Sequence, residues 1–145
     1  MIEWIQNFFS GVIPKLLLNA TLETLYMTFI STALAFILGL VLAIVLILTR
    51  RGGLCENRII YAVLDVAINT LRSFPFIILL IVLFPLTKLL VGASIGTTAA
   101  IVPLTIGSAP FIARLIESAL LEVDSGVIEA AKSFGASKTQ IIFRV

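Results

Sequence analysis

Two groups of residues in this sequence are placed to do directed work, and neither has the makings of a catalyst. The first is the run from Glu129-Ala130-Ala131-Lys132-Ser133-Phe134-Gly135 to Val145. It is polar and helix-prone, and it sits beside a hydrophobic segment without entering it. Two short amphipathic helical turns flank Gly135. That is the shape of a docking element, a knob that a membrane protein shows to a soluble partner. Glu129, Ala130, Ala131, Phe134 and Gly135 are its candidate contact residues. The second group is a polar stripe, Arg58, Asp65, Asn69 and Arg72, with spacings of seven, four and three. These residues share one helical face over about four turns. Charges at membrane depth are rare and usually face a bundle interior or a cavity. Asp65 has three possible partners: Arg58, Arg72, or a residue on another helix. The stripe reads either as part of a pathway or as a structural polar ladder with snorkelling arginines.

A third line of residues is conformational rather than charged. Gly96, Ala100, Pro103, Gly107, Pro110 and Arg114 follow one face of an apolar segment. Prolines and glycines on one stripe make a bent helix with a thin side, and such distortions survive only beside protein or water. Pro103, Gly107 and Pro110 therefore either line a pathway or form a kink that helps packing. Covalent chemistry finds no support. The chain has no His, a single Cys and no Gly-rich phosphate loop, so neither hydrolysis nor ATP binding is expected of it. No cofactor and no metal are expected. The basic residues are scattered, so nucleic acid is not an expected partner. Cys55 reads as an inert cytosolic thiol.

The elements that must hold these residues are membrane helices. Of 145 residues, 60% are hydrophobic and only 12% charged, against about 25% charged in soluble domains. Mean hydropathy is +1.18. Residues 1–19 form an amphipathic lead with Trp4, Phe8 and Phe9 as interfacial aromatics, and Glu3 and Trp4 stand where a cleavable signal would be basic. Residues 24–49 carry no charge and exceed the ~20 residues that a spanning helix needs. Thr24, Thr28, Thr32, Ala35, Gly39 and Ala43 put small side chains on one face of that span, which favours close packing on another helix or subunit. The second apolar region, residues 59–90, has two readings. The preferred one is a single span over about 59–83 with its polar residues facing protein. In the other, 59–73 lies partly at the interface and 74–90 crosses. In both, Ser73-Phe74-Pro75 breaks the helix, because Pro75 lacks a donor and biases Phe74 away from helical angles. Residues 89–113 are charge-free, with a loop first and then a helix over about 95–121. Asp124-Ser125-Gly126 reads as a turn and N-cap.

The expected fold is all-α and polytopic: three transmembrane helices followed by a cytosolic helix-turn-helix. Lys and Arg placement orients it. Arg50, Arg51 and Arg58 flank the first loop, and Arg114, Lys132, Lys138 and Arg144 follow the third span. The loop between the second and third spans has only Lys88, and the N-terminal region only Lys15. The N-terminus is therefore expected outside, with the first loop and the docking element in the cytosol.

The run Glu129-Ala130-Ala131, three residues and then Gly135 resembles the EAA loop of ABC importer permeases. Leu25-Tyr26-Met27-Thr28, the stretch Arg72-Ser73-Phe74-Pro75-Phe76-Ile77-Ile78-Leu79-Leu80, the stretch Val91-Gly92-Ala93-Ser94-Ile95-Gly96, and the run from Ala99 through Pro103, Gly107 and Pro110 to Arg114 are similar to the methionine ABC importer permeases. The resemblance covers nearly the whole chain. It implies an ABC type I importer permease fold in a bacterial inner (plasma) membrane, crossing it several times, and a homodimer of five-span subunits. It implies a lead at 1–19 and a transmembrane domain over 20–145 that is incomplete at its C-terminus. The implied partners are two ATPase subunits seated on the EAA loop, a methionine-binding lipoprotein or periplasmic protein, and membrane lipid. The implied substrate is methionine, L- and D-, moved by alternating access. ATP hydrolysis would belong to the ATPase subunit. A permease for another amino acid and a truncated, non-transporting membrane protein are the alternatives.

Overall fold

The computed structural model describes residues 12–137, 140 and 141. The proposed interfacial aromatics Trp4, Phe8 and Phe9 lie outside these residues. The described chain is helical throughout: α1 (Val12–Thr49), α2 (Arg58–Ser73), α3 (Phe76–Val91), α4 (Thr97–Leu121) and α5 (Ser125–Ser133), with residues 140 and 141 helical again. Residues 12–19 run into the span without a break. Pro14 falls in the first turn of the described helix, where a missing N–H does no harm. At 1.5 Å per residue the 38 residues of α1 reach roughly 57 Å. That exceeds a hydrocarbon core of ~30 Å, so α1 tilts or extends beyond it.

α1 and α4 pack side by side and run parallel. At one end the Thr97 hydroxyl donates to the Glu23 carboxylate at 3.1 Å. At the other, Leu46, Ile68 and Ala113 form a buried cluster, with Leu42, Tyr61 and Leu64 packed against it. The contact line on α1 is Ser31, Ala35, Gly39 and Ala43, all buried. A Cβ added to Gly39 would lie 2.7 Å from Ile112 Cγ2 and 3.1 Å from the Ala109 carbonyl oxygen. The small-residue stripe of the sequence is thus half right. Ala35, Gly39 and Ala43 are in the interface, but Thr24, Thr28 and Thr32 are exposed. The hydroxyls of Thr24 and Thr28 donate to the carbonyls of Ala20 and Thr24 at 2.7 and 2.8 Å. The ridge continues in steps of four from Gly39 back to Ser31. The three-residue step from Ala35 to Thr32 leaves it.

The region over 59–83 does not form one continuous helix. Helix α2 stops at Ser73, Phe74 is extended at φ −77 and ψ 135, and α3 starts at Phe76 after a bend of 114°. The break falls at the boundary of the other reading, 59–73 and then 74–90. Pro75 causes it: the residue before a proline is pushed out of the α region, and the ring removes a helical donor. α1 and α4 are each long and apolar enough to cross a membrane, and α2 with α3 passes only as a bent pair. Because α1 and α4 are parallel, the chain between them must return across the membrane. Counted as one span, the bent pair would supply that return and make three candidate crossings.

α3 lies against α4 where a Cβ on Gly107 would meet Phe76 Cε2 at 3.2 Å and Leu79 Cδ2 at 3.3 Å. Pro103 and Pro110 are both inside α4 and both buried. The loop joining α1 to α2 is short and self-bonded. Cys55 and Asn57 N–H groups donate to the Leu48 and Thr49 carbonyls at 2.9 and 3.0 Å. Asn57 then caps α2, its side-chain oxygen accepting from Ile59 and Ile60 N–H at 3.1 and 3.2 Å.

Candidate functional site

The docking element is built from its two caps. Asp124 starts α5, its carboxylate accepting from Gly126 N–H at 2.7 Å. After Ser133 the chain turns through Gly135 at φ +78. There Gly135 N–H donates to the Lys132 carbonyl and Ala136 N–H to the Ala131 carbonyl, both at 3.0 Å. Those two bonds make a Schellman motif, in which the residue after the helix end must be left-handed. The glycine is needed for that torsion and not for space, since nothing lies within 4 Å of a Cβ placed on it. A second turn begins at once. Ser137 N–H donates to Gln140 Oε1 at 2.8 Å and Gln140 N–H to Ser137 Oγ at 3.3 Å, a reciprocal capping box. The expected pair of helical turns around Gly135 is therefore present, with its second turn described only at residues 140 and 141.

The two faces of α5 differ. Ile128 and Ala131 are half-buried, and Ile128 looks toward the ends of α1 and α4. Val127, Ala130 and Phe134, spaced three and four, are exposed on the other face, as is Glu129. Phe134 is 91% exposed. The capped turn thus leaves the Phe134 ring without cover from any described residue.

The polar stripe has a different partner from the one its own helix offers. Asp65 pairs with Arg114 of α4. Arg114 Nη2 also reaches Asn69 Oδ1 at 3.4 Å, and Nη1 donates to Glu117 Oε2 at 2.6 Å. Of the three partners left open for Asp65, the one in place is on another helix, while Arg72 is exposed and makes no ion pair with a described residue. Arg58 lies 3.5 Å from Glu56. The physical reason is distance. Residues seven apart on one helix stand about 10 Å apart along its axis, whereas the Leu46–Ile68–Ala113 packing brings α4 directly beside α2. Glu117, 5% exposed, was not anticipated. Its signal was the three-residue spacing from Arg114. One guanidinium thus serves two carboxylates and ties α2 to α4. Pro103 and Pro110 are buried, and Gly107 lies against Phe76 and Leu79 of α3.

Over residues 36–145 the chain matches the family described as binding-protein-dependent transport system inner membrane component. It is 55% identical over 130 residues to the probable D-methionine transport system permease protein MetI of Vibrio cholerae, covering 90% of this chain and 58% of that protein. It is 51% identical over 136 residues to the D-methionine transport system permease protein MetI of Yersinia pestis, covering 94% and 63%. The chain thus spans about three-fifths of the length of the curated relatives it matches. A solved structure of the MetNI methionine ABC transporter in an inward-facing conformation superposes with a TM-score of 0.90 at 46% identity, over 94% of this chain and 63% of that one. The helices therefore have the type I importer permease arrangement expected from the sequence. With that match running through α2, α3, α4 and the Gly135 turn, the chain belongs to the family of binding-protein-dependent transport system inner-membrane components.

Proposed function

We propose that this chain is part of the membrane-spanning permease of an ATP-driven importer that takes up methionine by alternating access. The observation that carries the coupling role is the docking element: a doubly capped helix-turn-helix that holds Phe134 almost fully in solvent. It sits next to the membrane helices without belonging to them, on the side where the basic loop 50–58 lies. An ATPase subunit seated over Val127, Ala130 and Phe134 would move α5, and α5 is joined to α4 by a turn of three residues. In a homodimer two such elements would engage two ATPase subunits. A binding protein on the opposite side would deliver the amino acid. The basic loop supports a cytosolic placement of α5, with the N-terminus outside.

Support for methionine comes from the relatives, which are named as D-methionine permeases. Uptake of the L-isomer rests on the family resemblance. The Asp65–Arg114–Glu117 cluster is assigned a structural role that fixes α2 on α4 at the level where α4 leads into the docking element. The deciding experiment is uptake of radiolabelled D- and L-methionine by the full-length gene product with its ATPase and binding protein. ATP-dependent accumulation that unlabelled methionine displaces supports the assignment. Accumulation displaced only by another amino acid would make the chain a permease for that substrate. No accumulation by an assembled complex would remove the transport reading.

A further inference from the structure

Between the ends of α1 and α4 and the inner face of α5 lies a groove of about 540 Å³. Its apolar wall is made by Leu40, Ile44 and Ile47 of α1 with Leu120 and Leu121 of α4, and Ile128 of α5 closes one side. Two cations line the same groove, Arg50 at the end of the α1 wall and Lys132 on α5. Neither makes an ion pair with a described residue. The groove is therefore graded, apolar for the ten residues from Leu40 to Arg50 and cationic at its end. Ten helical residues rise about 15 Å, which is the thickness of one leaflet of a ~30 Å hydrocarbon core. That polarity and that length match an acyl chain leading to a phosphate. Basic pockets between helices on the cytosolic side of a membrane are suited to anionic headgroups.

We propose that this groove holds one anionic phospholipid of the cytosolic leaflet, its phosphate against Arg50 and Lys132 and an acyl chain along the α1–α4 wall. The lipid would then be a structural wedge under the docking element, because Ile128 and Lys132 belong to α5. Its presence would set how far α5 stands off the membrane helices. The choice of leaflet rests on the topology proposed above, and the lipid itself does not.

The test uses the full-length protein assembled with its ATPase subunits and purified from bacterial membranes. Native mass spectrometry after stepwise delipidation should find an anionic phospholipid retained, phosphatidylglycerol or cardiolipin, in preference to phosphatidylethanolamine. Arg50→Gln with Lys132→Gln should lower that retention about tenfold or more, since each basic group near an anionic surface is worth roughly fivefold. Ile44→Trp should lower it by filling the apolar wall with the charges intact. A photo-crosslinking residue at Val123, which also lines the groove, should capture phospholipid in the wild-type background. That measurement decides the matter if the variants fail to assemble. Equal retention of neutral and anionic lipid, retention unchanged by both variants, or crosslinking to protein alone would overturn the proposal. Methionine uptake plays no part in these readouts, so loss of the transport reading would be seen separately. A crosslinked lipid together with Cys55 labelling from outside would leave the lipid site standing and assign it to the other leaflet.

Discussion

At the scale of single residues, Gly135 and Arg114 carry most of the consequence. Gly135 sits at φ +78 with open space around it, so its requirement is torsional. Gly135→Ala should destabilise the Schellman turn by about 1 kcal/mol, while Gly135→Asn, which tolerates the left-handed region, should cost much less. Co-purification of the ATPase with each variant reports the effect. If Asn impairs association as badly as Ala, the position is a contact surface and not a backbone device. Arg114 answers to Asp65 and Glu117 together. Arg114→Gln leaves two carboxylates without their partner and should cost about 3–5 kcal/mol. Arg72→Gln should stay within about 0.5 kcal/mol, as at other exposed positions. Thermal unfolding of the solubilised protein distinguishes them, and equal losses would return Arg72 to the cluster. In a double-mutant cycle Asp65→Asn should couple with Arg114→Gln and not with Arg72→Gln.

At the scale of elements, the α1–α4 contact depends on the missing side chain at Gly39. Helices in lipid gain little from hydrophobic drive, so close backbone approach and van der Waals packing hold them together. A methyl group at Gly39 would overlap Ile112, and Gly39→Ala should destabilise the pair by about 1–3 kcal/mol. Trimming the neighbour with Ile112→Ala should restore part of that loss, and the remainder belongs to the Ala109 carbonyl, which cannot retreat. Gly39→Ala with no effect on the detergent denaturation midpoint would mean that the two helices sit further apart. The break at Pro75 belongs to this scale too. It divides one apolar stretch into α2, which carries Asp65 and Asn69 to Arg114, and α3, which packs Phe76 and Leu79 over Gly107. A straight helix through residue 75 could not make both contacts.

At the scale of the whole molecule, the parallel course of α1 and α4 fixes that their like ends lie on the same side of the membrane. Cys55 is exposed in the loop that leaves α1, close in sequence to Arg50, Arg51 and Arg58. A membrane-impermeant thiol reagent should therefore label Cys55 in inverted vesicles and leave it unlabelled in intact cells. Labelling in intact cells would reverse the topology and put the docking element on the side without ATP. The same side carries the ion cluster, α5 and the basic loop, so under the proposed coupling a push on α5 would have a short route into α4 and from there to α2.

Local chemistry was enough for the parts of this protein whose cause is local. Residues 24–49 could only be a membrane helix because they lack charge over more than a span. Asp124 had to cap, because its side chain meets a free N–H two residues on, and Pro75 had to break a helix through its missing donor and its ring. Gly135 had to be a left-handed turn because a helix ends two residues before it, at Ser133. The partner of Asp65 was not local. Arg58, Arg72 and a foreign helix were equally open until the folded chain put Ala113 on Leu46 and Ile68 and carried Arg114 with it. The same holds for the small-residue stripe. Both Thr28 and Ser31 are small, but only the crossing of α4 decides which ridge is buried. It holds as well for the 59–90 region. The sequence marks where its helix breaks, and only the folded chain shows that the two halves meet at 114°.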